Sequence, residues 1–341
     1  MLRNNHQRRS AMKIGIIGAG AWGTALAIHF ARKQHEVTLF TETENDAQSI
    51  RDQQENKRFL ATFRLPENLK IQVVSKEIAH SELILAVVPT GALRAVLRDW
   101  IYPYAAEIPI LAACKGFEQQ TGLLPHQILH ECLPQNAAVG LLSGPSFAQE
   151  VAQGLPCAVC LASENFAWIE QLAIQLNSPS LRFYANNDPI GVAVGGATKN
   201  VLAIATGVAD GLHCGLNARA ALITRGLAEI TRLALALDGN ANTLVGLAGI
   251  GDLILTCTGD LSRNRQVGLA LAQGKTLNDI LAELGHVAEG VYTVSEVVRL
   301  AKQLNIEMPI SSTLLELIQG QCTASQAVEK LMGRTPKVEN T

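Results

Sequence analysis

The sequence predicts a doubly wound α/β domain followed by an all-α domain. Two observations indicate this fold. From Met12 to about residue 190, short apolar runs alternate with helical stretches, and from Asp188 onward there are long helix-period stretches and almost no strands. Strand–helix alternation is typical of a parallel sheet with helices on both faces. The length of 341 residues fits two domains at roughly 100–200 residues each.

The predicted strands of the first domain are short aliphatic runs, and a helix over Ala21–Lys33 separates the first two of them. In order they are Ile14–Ile17, Val37–Phe40, Leu69–Val73, Leu83–Val88, Pro109–Cys114, Ala137–Leu142 and Cys157–Leu161.

The predicted helices of the second domain follow an apolar pattern with a helical period. They are Gly191–Ala209, Asn217–Leu237, Ser262–Gln273, Leu277–Leu284, Thr293–Leu304, Ser312–Gln319 and Ala324–Met332. We therefore predict a loose N-terminal extension over residues 1–11, a dinucleotide-binding domain over 12–190 and a helical substrate and catalytic domain over 191–341.

Composition excludes several classes of protein. The 28 Lys and Arg against 30 Asp and Glu give a net charge of −2, which lacks the basic excess of nucleic-acid binders. With 48% hydrophobic and 17% charged residues, the chain is not intrinsically disordered. The first eleven residues are polar and basic, and no run of about 18 uncharged apolar residues follows them. We expect a cytoplasmic protein without a membrane span.

No metal site is predicted. Cys157 and Cys160 form a C-x-x-C, but they lie in an apolar run that reads as a buried strand, where positions i and i+3 face opposite sides. His126 and His130 are spaced i, i+4 on a predicted helix, but no Glu or further ligand accompanies them, so we interpret them as surface histidines.

A glycine motif follows the first predicted strand. Gly18, Gly20 and Gly23 form G-x-G-x-x-G between that strand and an Ala-rich helix, the context typical of a Rossmann-type dinucleotide-binding fold. Gly18 allows the tight turn, Gly20 lets the backbone approach a pyrophosphate, and Gly23 lets the helix pack on the strand. An ordinary glycine turn is the alternative interpretation.

Glu42 lies 19 residues after Gly23, directly after the second predicted strand. An acidic residue about 20 residues beyond the motif usually binds the adenosine ribose hydroxyls and favours NAD over NADP. Two alternatives stay open. Glu42 is a solvated loop residue, or Arg51, Lys57 and Arg58 attract a 2′-phosphate instead.

Two lysines and one aspartate occupy unusual positions. Lys115 follows the predicted strand Pro109–Cys114, at the strand end where open α/β sheets bind ligands. Lys199 lies in an otherwise uncharged helical stretch, and Asp252 has apolar neighbours in sequence. Lysines are almost never fully buried unless paired, which favours a functional role for Lys199, with snorkelling to the surface as the alternative.

Ser262, Arg263, Asn264 and Arg265 begin a predicted helix, with Ser262 as its N-cap. A helix start that carries arginines is suited to phosphate, because free backbone N–H groups and a bidentate guanidinium meet there. The alternative is a solvated helix face.

The chain resembles the bacterial NAD(P)-dependent glycerol-3-phosphate dehydrogenases from Met12 to Met332. The motifs that carry the resemblance are GAGAWGT (Gly18–Thr24), KG (Lys115–Gly116), SGPSFAQEV (Ser143–Val151), ATKNV (Ala197–Val201), ALITRGL (Ala221–Leu227), GLAGIGD (Gly246–Asp252), SRN (Ser262–Asn264) and AEGVY (Ala288–Tyr292). The resemblance implies reversible reduction of dihydroxyacetone phosphate to sn-glycerol 3-phosphate, a role in glycerophospholipid synthesis, an NAD(P) cofactor and a homodimer.

The resemblance also implies residue roles. Lys199 matches the catalytic base. The positions that match substrate contacts are Lys115, Gly144, Ser146, Lys199, Asp252, Ser262, Arg263 and Asn264. Those that match cofactor contacts, beside the glycines, are Ala21, Trp22, Lys115, Ala148, Arg263 and Glu289. Ala21 replaces a common serine, and Glu42 stands where many relatives carry Arg or His.

Alcohol oxidation requires loss of a hydride and of a hydroxyl proton. Lys199 accepts that proton only if its pKa falls from about 10.4 toward 7–8, through burial and nearby cations such as Lys115 and Arg263. Asp252 would orient Lys199 while raising its pKa. Two rivals are a two-domain β-hydroxyacid dehydrogenase and a non-enzymatic dinucleotide sensor. The β-hydroxyacid dehydrogenase requires groups that bind a substrate carboxylate rather than a phosphate. The dinucleotide sensor requires neither Lys199 nor Asp252.

Overall fold

A computed structural model describes residues 11–136, 138–284 and 289–335. The predicted N-terminal extension, apart from Ala11, and the first residue of one predicted strand, Ala137, lie outside the described residues. The described chain forms two compact units. The first comprises residues up to Cys114 with Ile128–Leu142 and Ser146–Asn187, and the second comprises Lys115–Gln127, Ser143–Pro145 and the residues from Asp188 onward.

The first unit is built on a sheet whose strand order is β10-β9-β8-β7-β6-β1-β2-β5. The run from β5 through β2, β1, β6 and β7 to β8 is parallel throughout, and β9 and β10 are parallel to each other. The strands are β1 (Lys13–Ile17), β2 (Glu36–Thr41), β3 (Glu55–Asn56), β4 (Leu60–Arg64), β5 (Leu69–Val73), β6 (Leu83–Ala86), β7 (Ile110–Ala112), β8 (Val139–Ser143), β9 (Cys157–Ala162) and β10 (Leu181–Asn186).

This order reproduces the doubly wound arrangement 3-2-1-4-5-6, with β9 and β10 added at one edge. The helices that precede residue 188 are α1 (Ala21–Arg32), α2 (Glu44–Gln53), α3 (Thr90–Val96), α4 (Tyr102–Ala105), α5 (Pro125–Cys132), α6 (Ala148–Gln153) and α7 (Phe166–Leu176). The predicted α/β fold of the first domain is confirmed.

The central strands are buried on both faces, which explains why they appear in the sequence as unbroken apolar runs. All four residues of β6 are buried, and so are the last four of β1. Ile14 and Ile16 of β1 share one hydrophobic core with Leu26 of α1. Helix α1 therefore covers the sheet beside the strand after which it begins.

The prediction missed three strands, and each lacks a continuous apolar run. Strands β3 and β4 form a short antiparallel hairpin in which polar and apolar residues are mixed. Strand β10 alternates, with Leu181 and Phe183 buried and Arg182 and Tyr184 exposed, as expected of an edge strand with one solvent face.

The described part of the second unit is helical, as predicted. Its helices are α8 (Pro189–Gly211), α9 (Gly215–Ala236), α10 (Ala241–Leu244), α11 (Asp252–Thr258), α12 (Arg263–Ala272), α13 (Leu277–Leu284), α14 (Glu289–Gln303), α15 (Pro309–Ile318) and α16 (Ala324–Met332). Helix α15 begins three residues before the predicted start, at a proline in the first helical position, where its missing N–H costs nothing.

Within the described residues, two helical stretches have the length and hydropathy of a membrane span. In Pro189–Gly211, 94% of the apolar 18-residue stretch is buried inside the fold, which is typical of a core helix. The second stretch, Ala241–Thr258, is 44% buried and contains Asp252.

Candidate functional site

The glycine motif forms the loop between β1 and α1 in the first unit. Gly18 has φ +109°, and a Cβ there would lie 2.2 Å from the Val87 carbonyl oxygen. A Cβ on Gly23 would lie 2.0 Å from the Gly18 carbonyl oxygen. Both positions therefore require glycine, the first for its turn and the second for helix packing. The structure thus gives these two residues the conformational roles that the motif predicts.

Open space lies beside Gly20, the N-cap of α1. A Cβ on Gly20 would meet no atom within 4 Å, and no side chain caps the helix. The backbone can therefore approach a ligand at Gly20, and the first N–H groups of α1 with the positive end of its dipole are suited to an anion such as a pyrophosphate. The loop fits the phosphates of a dinucleotide.

Glu42 and the glycine loop lie at the same edge of the sheet. Strands β1 and β2 are parallel neighbours, and the Gly18 N–H donates to the Phe40 carbonyl at 3.0 Å. Glu42 is exposed directly after β2. The basic residues that could attract a 2′-phosphate instead have different surroundings. Arg51 is paired with Glu44 and donates to the Ile71 carbonyl, whereas Lys57 is exposed.

Asn56 was missed by the sequence analysis, although it holds the glycine loop. Its Nδ2 donates to the Ala19 carbonyl and to Thr24 Oγ1, both at 2.8 Å, and the residue is 2% exposed. The contact joins residues at least 32 positions apart, and no local pattern signals it. Asn56 directly precedes Lys57 and Arg58, so the hairpin that anchors the loop also carries two cations.

The other predicted cofactor positions of the first unit lie on two helix starts. Ala21 and Trp22 are the first residues of α1 and pack partly against the core. Ala148 is the first residue of α6, which packs against α1. Ser146 lies half-buried two residues before Ala148. The contacts of Ala21, Trp22 and Ala148 with a cofactor, and that of Ser146 with the substrate, stay predictions.

The second unit brings both predicted lysines onto one carboxylate. Lys199 Nζ donates to Asp252 Oδ1 at 2.5 Å, and Lys115 Nζ donates to Asp252 Oδ2 at 2.6 Å. Lys115 also donates to the Gly144 carbonyl at 3.2 Å. The Asp252 side chain is only 2% exposed, and that of Lys199 is 10% exposed. Lys199 is thus a buried, paired lysine and does not snorkel to the surface.

The charges of this cluster set the proton affinity of Lys199. Its pKa is lowered to about 8, mainly by burial; the Asp252 carboxylate opposes this fall and the Lys115 cation adds to it. Burial alone would raise the pKa of Asp252, but the two lysines hold it below its usual value. Two cations therefore share one anion, and Lys199 is the group that releases a proton near neutral pH. This is the direction of pKa change that alcohol oxidation requires of Lys199.

Thr256 completes the cluster and was given no role by the sequence analysis. Its Oγ1 accepts from Lys199 Nζ at 3.0 Å and donates to the Asp252 carbonyl at 2.6 Å. Asp252 begins α11 after a π turn over Leu247–Gly251, and Thr256 lies four residues later on the same face. The i, i+4 spacing of Asp252 and Thr256 is the sequence feature from which the contact of Thr256 with this cluster could have been predicted.

Ser262, Arg263 and Asn264 lie at the start of α12. Ser262 is the N-cap, and its hydroxyl accepts from the Arg265 N–H at 3.3 Å, which confirms the predicted cap. Arg263 is exposed, and among the described residues it forms no ion pair. Asn264 Oδ1 accepts from the Gly290 N–H at 3.2 Å, at the start of α14, where Glu289 is the first residue. An exposed guanidinium beside free N–H groups is suited to a phosphate.

A large cavity of the second unit lies away from these residues. It has a volume of about 1040 Å³, its walls include α9, α15 and α16, and none of the predicted site residues lines it. The cavity therefore does not coincide with the predicted site residues of the second unit.

Comparison with known proteins identifies the family. Models of the N-terminal and C-terminal parts of NAD-dependent glycerol-3-phosphate dehydrogenase match residues 13–169 and 188–329. The chain belongs to this family. A glycerol-3-phosphate dehydrogenase (NAD(P)+) from Neisseria meningitidis is 55% identical over 329 residues, which cover 96% of this chain and 100% of that protein. One from Dechloromonas aromatica is 54% identical over 96% of this chain and 99% of that protein.

A solved glycerol-3-phosphate dehydrogenase structure is also similar. The enzyme from Coxiella burnetii superposes with a TM-score of 0.89 at 40% sequence identity, covering 95% of this chain and 99% of that one. Members of the glycerol-3-phosphate dehydrogenase family are NAD(P)-dependent oxidoreductases that act on a CH–OH group. The resemblance drawn from the motifs is confirmed, and a nicotinamide dinucleotide is the cofactor of the family.

Proposed function

We propose that this chain reduces dihydroxyacetone phosphate to sn-glycerol 3-phosphate with a nicotinamide dinucleotide, reversibly, and supplies glycerol 3-phosphate for glycerophospholipid synthesis. The observation that carries the proposal is the buried Lys199, whose pKa of about 8 lets it exchange a proton near neutral pH. The names of the 55%-identical relatives agree with this substrate pair.

The bound dinucleotide supplies or accepts the hydride, and the residues of this chain handle the proton. In the reducing direction Lys199 donates a proton from Nζ to the substrate carbonyl oxygen. In the oxidising direction neutral Lys199 removes the hydroxyl proton. Asp252 holds Nζ in place at 2.5 Å, and Thr256 Oγ1 fixes it from a second direction at 3.0 Å. Lys115 keeps the Lys199 pKa low by adding a second cation to the same carboxylate.

The substrate phosphate binds at the start of α12 in this proposal. Arg263 provides the exposed guanidinium, and Ser262 and Asn264 flank it. Lys115, Gly144 and Ser146 provide further substrate contacts. This assignment favours a phosphorylated ketone over the keto acids of β-hydroxyacid dehydrogenases.

The dinucleotide phosphates bind at the glycine loop in the same proposal, with Ala21, Trp22, Ala148 and Glu289 as further contacts of the cofactor. Exposed Glu42 accepts hydrogen bonds from the adenosine ribose hydroxyls, which favours NADH over NADPH. Lys115 and Arg263 contact cofactor as well as substrate.

One assay tests the proposal. NADH oxidation is followed with dihydroxyacetone phosphate and, in parallel, with unphosphorylated dihydroxyacetone and a panel of keto acids. We expect turnover with the phosphorylated ketone and little with the others. Preferential turnover of a keto acid would contradict the substrate assignment, and no turnover with any of them would contradict the enzyme assignment.

Two further proposals are a homodimer, which the family resemblance implies, and a cytoplasmic location, which the sequence analysis favours. Light scattering coupled to size-exclusion chromatography measures the mass in solution. A mass of twice 36.5 kDa is expected for the dimer. Cell fractionation tests the location.

A further inference from the structure

Asp210 joins two helix starts through its two carboxylate oxygens. Oδ1 accepts from Arg219 Nε at 2.8 Å and lies 2.7 Å from Arg219 Nη2, while Oδ2 accepts from Arg265 Nε at 2.8 Å and lies 2.8 Å from Arg265 Nη2. The side chains are 8% exposed for Asp210, 12% for Arg265 and 22% for Arg219. The three side chains form a largely buried Arg–Asp–Arg triad in which each guanidinium places both Nε and Nη2 on one carboxylate oxygen.

Asp210 lies at a helix position that is unfavourable for a carboxylate. It lies in the last turn of α8, where the negative end of the helix dipole disfavours a carboxylate. The two guanidinium groups offset that cost, so the placement makes sense only as part of the triad. A residue that departs from its local preference within a satisfied network is a candidate for a functional role.

The triad fixes α12, the helix at whose start Arg263 lies. The Arg265 side chain is held by Asp210, and its backbone N–H is held by the Ser262 hydroxyl at 3.3 Å. Arg263 and Asn264 lie between these two held residues. Arg265 also contacts Asp260 at 3.1 Å, so its guanidinium is already shared by two carboxylates, whereas Arg263 has no ion-pair partner among the described residues.

Helix α12 also lies in backbone contact with α8. A Cβ on Gly268 would lie 2.1 Å from the Ile204 carbonyl oxygen, and one on Gly207 would lie 2.1 Å from the Arg265 carbonyl oxygen. Helix α8 carries Lys199. The two glycines and the Asp210–Arg265 pair therefore set where the start of α12 lies relative to the catalytic lysine.

We propose that Asp210 and Arg265 are positioning residues that hold Arg263 in place for the substrate phosphate. The inference rests on the proposed function, because the phosphate is part of the proposed substrate. Arg219 forms the other arm of the same carboxylate with the same geometry, but it lies on α9 and not on the helix that carries Arg263. It is therefore a matched control.

The experiment compares R265A with R219A. For R265A we expect KM for dihydroxyacetone phosphate to rise by about tenfold or more, the scale of one charged hydrogen bond, with KM for NADH within about twofold of wild type. The inhibition constant of inorganic phosphate, used as a competitor, should rise in parallel. Turnover of unphosphorylated dihydroxyacetone should not change. For R219A all four quantities should stay within about twofold, although both variants lose thermal stability because both break the triad.

Equal KM changes in R265A and R219A would overturn the inference, because the triad would then act only through stability. So would an R265A enzyme with normal KM for dihydroxyacetone phosphate. If R265A does not fold, R265K and R219K provide the same comparison, since lysine keeps the positive charge but lacks the paired Nε and Nη2 donors of arginine. We then expect a raised KM in R265K alone, and equal values in the two variants would overturn the inference. The proposed function fails separately, if wild type does not turn over dihydroxyacetone phosphate at all.

Discussion

Replacing Asp252 with Asn tests whether this carboxylate sets the proton affinity of Lys199. In the wild type the pKa of Lys199 is about 8, with burial and Lys115 lowering it and Asp252 raising it. The D252N variant removes the charge of an oxygen 2.5 Å from Nζ. A close opposite charge typically shifts a pKa by about 1–3 units, so we expect the Lys199 pKa to fall to about 5–7.

The magnitude for catalysis follows from the protonated fraction. Reduction requires the ammonium form of Lys199. At pH 7 a lysine with a pKa of about 8 is about 90% protonated, and one with a pKa of about 6 is about 10% protonated. We therefore expect kcat/KM for reduction at neutral pH to fall about tenfold from protonation alone. Because the lost form is the acid, reduction declines as pH rises through the pKa, and oxidation rises through it.

The assay is the pH profile of kcat/KM in both directions, which reports groups of the free enzyme. D252N should move the midpoint to lower pH. K115Q should move it to higher pH, because the Lys115 cation lowers the Lys199 pKa. T256V removes a neutral hydrogen bond of Lys199 and should move the midpoint less than D252N does. Circular dichroism melting curves check that each variant is folded. Midpoints equal to wild type in both charge variants would refute Lys199 as the titrating group.

Three further predictions concern single residues. Lys199→Ala should lower kcat by about 10²–10⁴-fold, the usual range for general acid–base catalysis, with NADH affinity by fluorescence titration nearly unchanged, and near-wild-type turnover would remove Lys199 from the mechanism. Arg263→Ala should raise KM for dihydroxyacetone phosphate by an amount worth about 1.5–3 kcal/mol, and an unchanged KM would mean that the phosphate binds elsewhere. The wild type should have a higher kcat/KM for NADH than for NADPH at one fixed ionic strength, and Glu42→Arg should shift the ratio toward NADPH. A wild type that prefers NADPH several-fold would show that Glu42 points to solvent.

Features that depend on neighbours within a few residues could be predicted from the sequence. The tight turn at Gly18 and the packing at Gly23 follow from local backbone geometry, and Ser262 caps α12 through a bond to the N–H three residues later. The buried parallel strands were visible as aliphatic runs, because both of their faces are covered. Strand β10 was not, because its outer face is polar and its pattern alternates.

Only the tertiary structure decided which charged groups meet. Lys115 and Lys199 contact Asp252 across 137 and 53 positions of the chain, so no local spacing reveals that they share one carboxylate. The sequence suggested that Arg263 and Arg265 play similar parts at the start of α12. The tertiary structure distinguishes them, because Arg265 pairs with Asp210 on α8 whereas Arg263 is exposed. The residue types and their local backbone came from the sequence, whereas the pKa of Lys199 comes from burial and charges that only folding brings together.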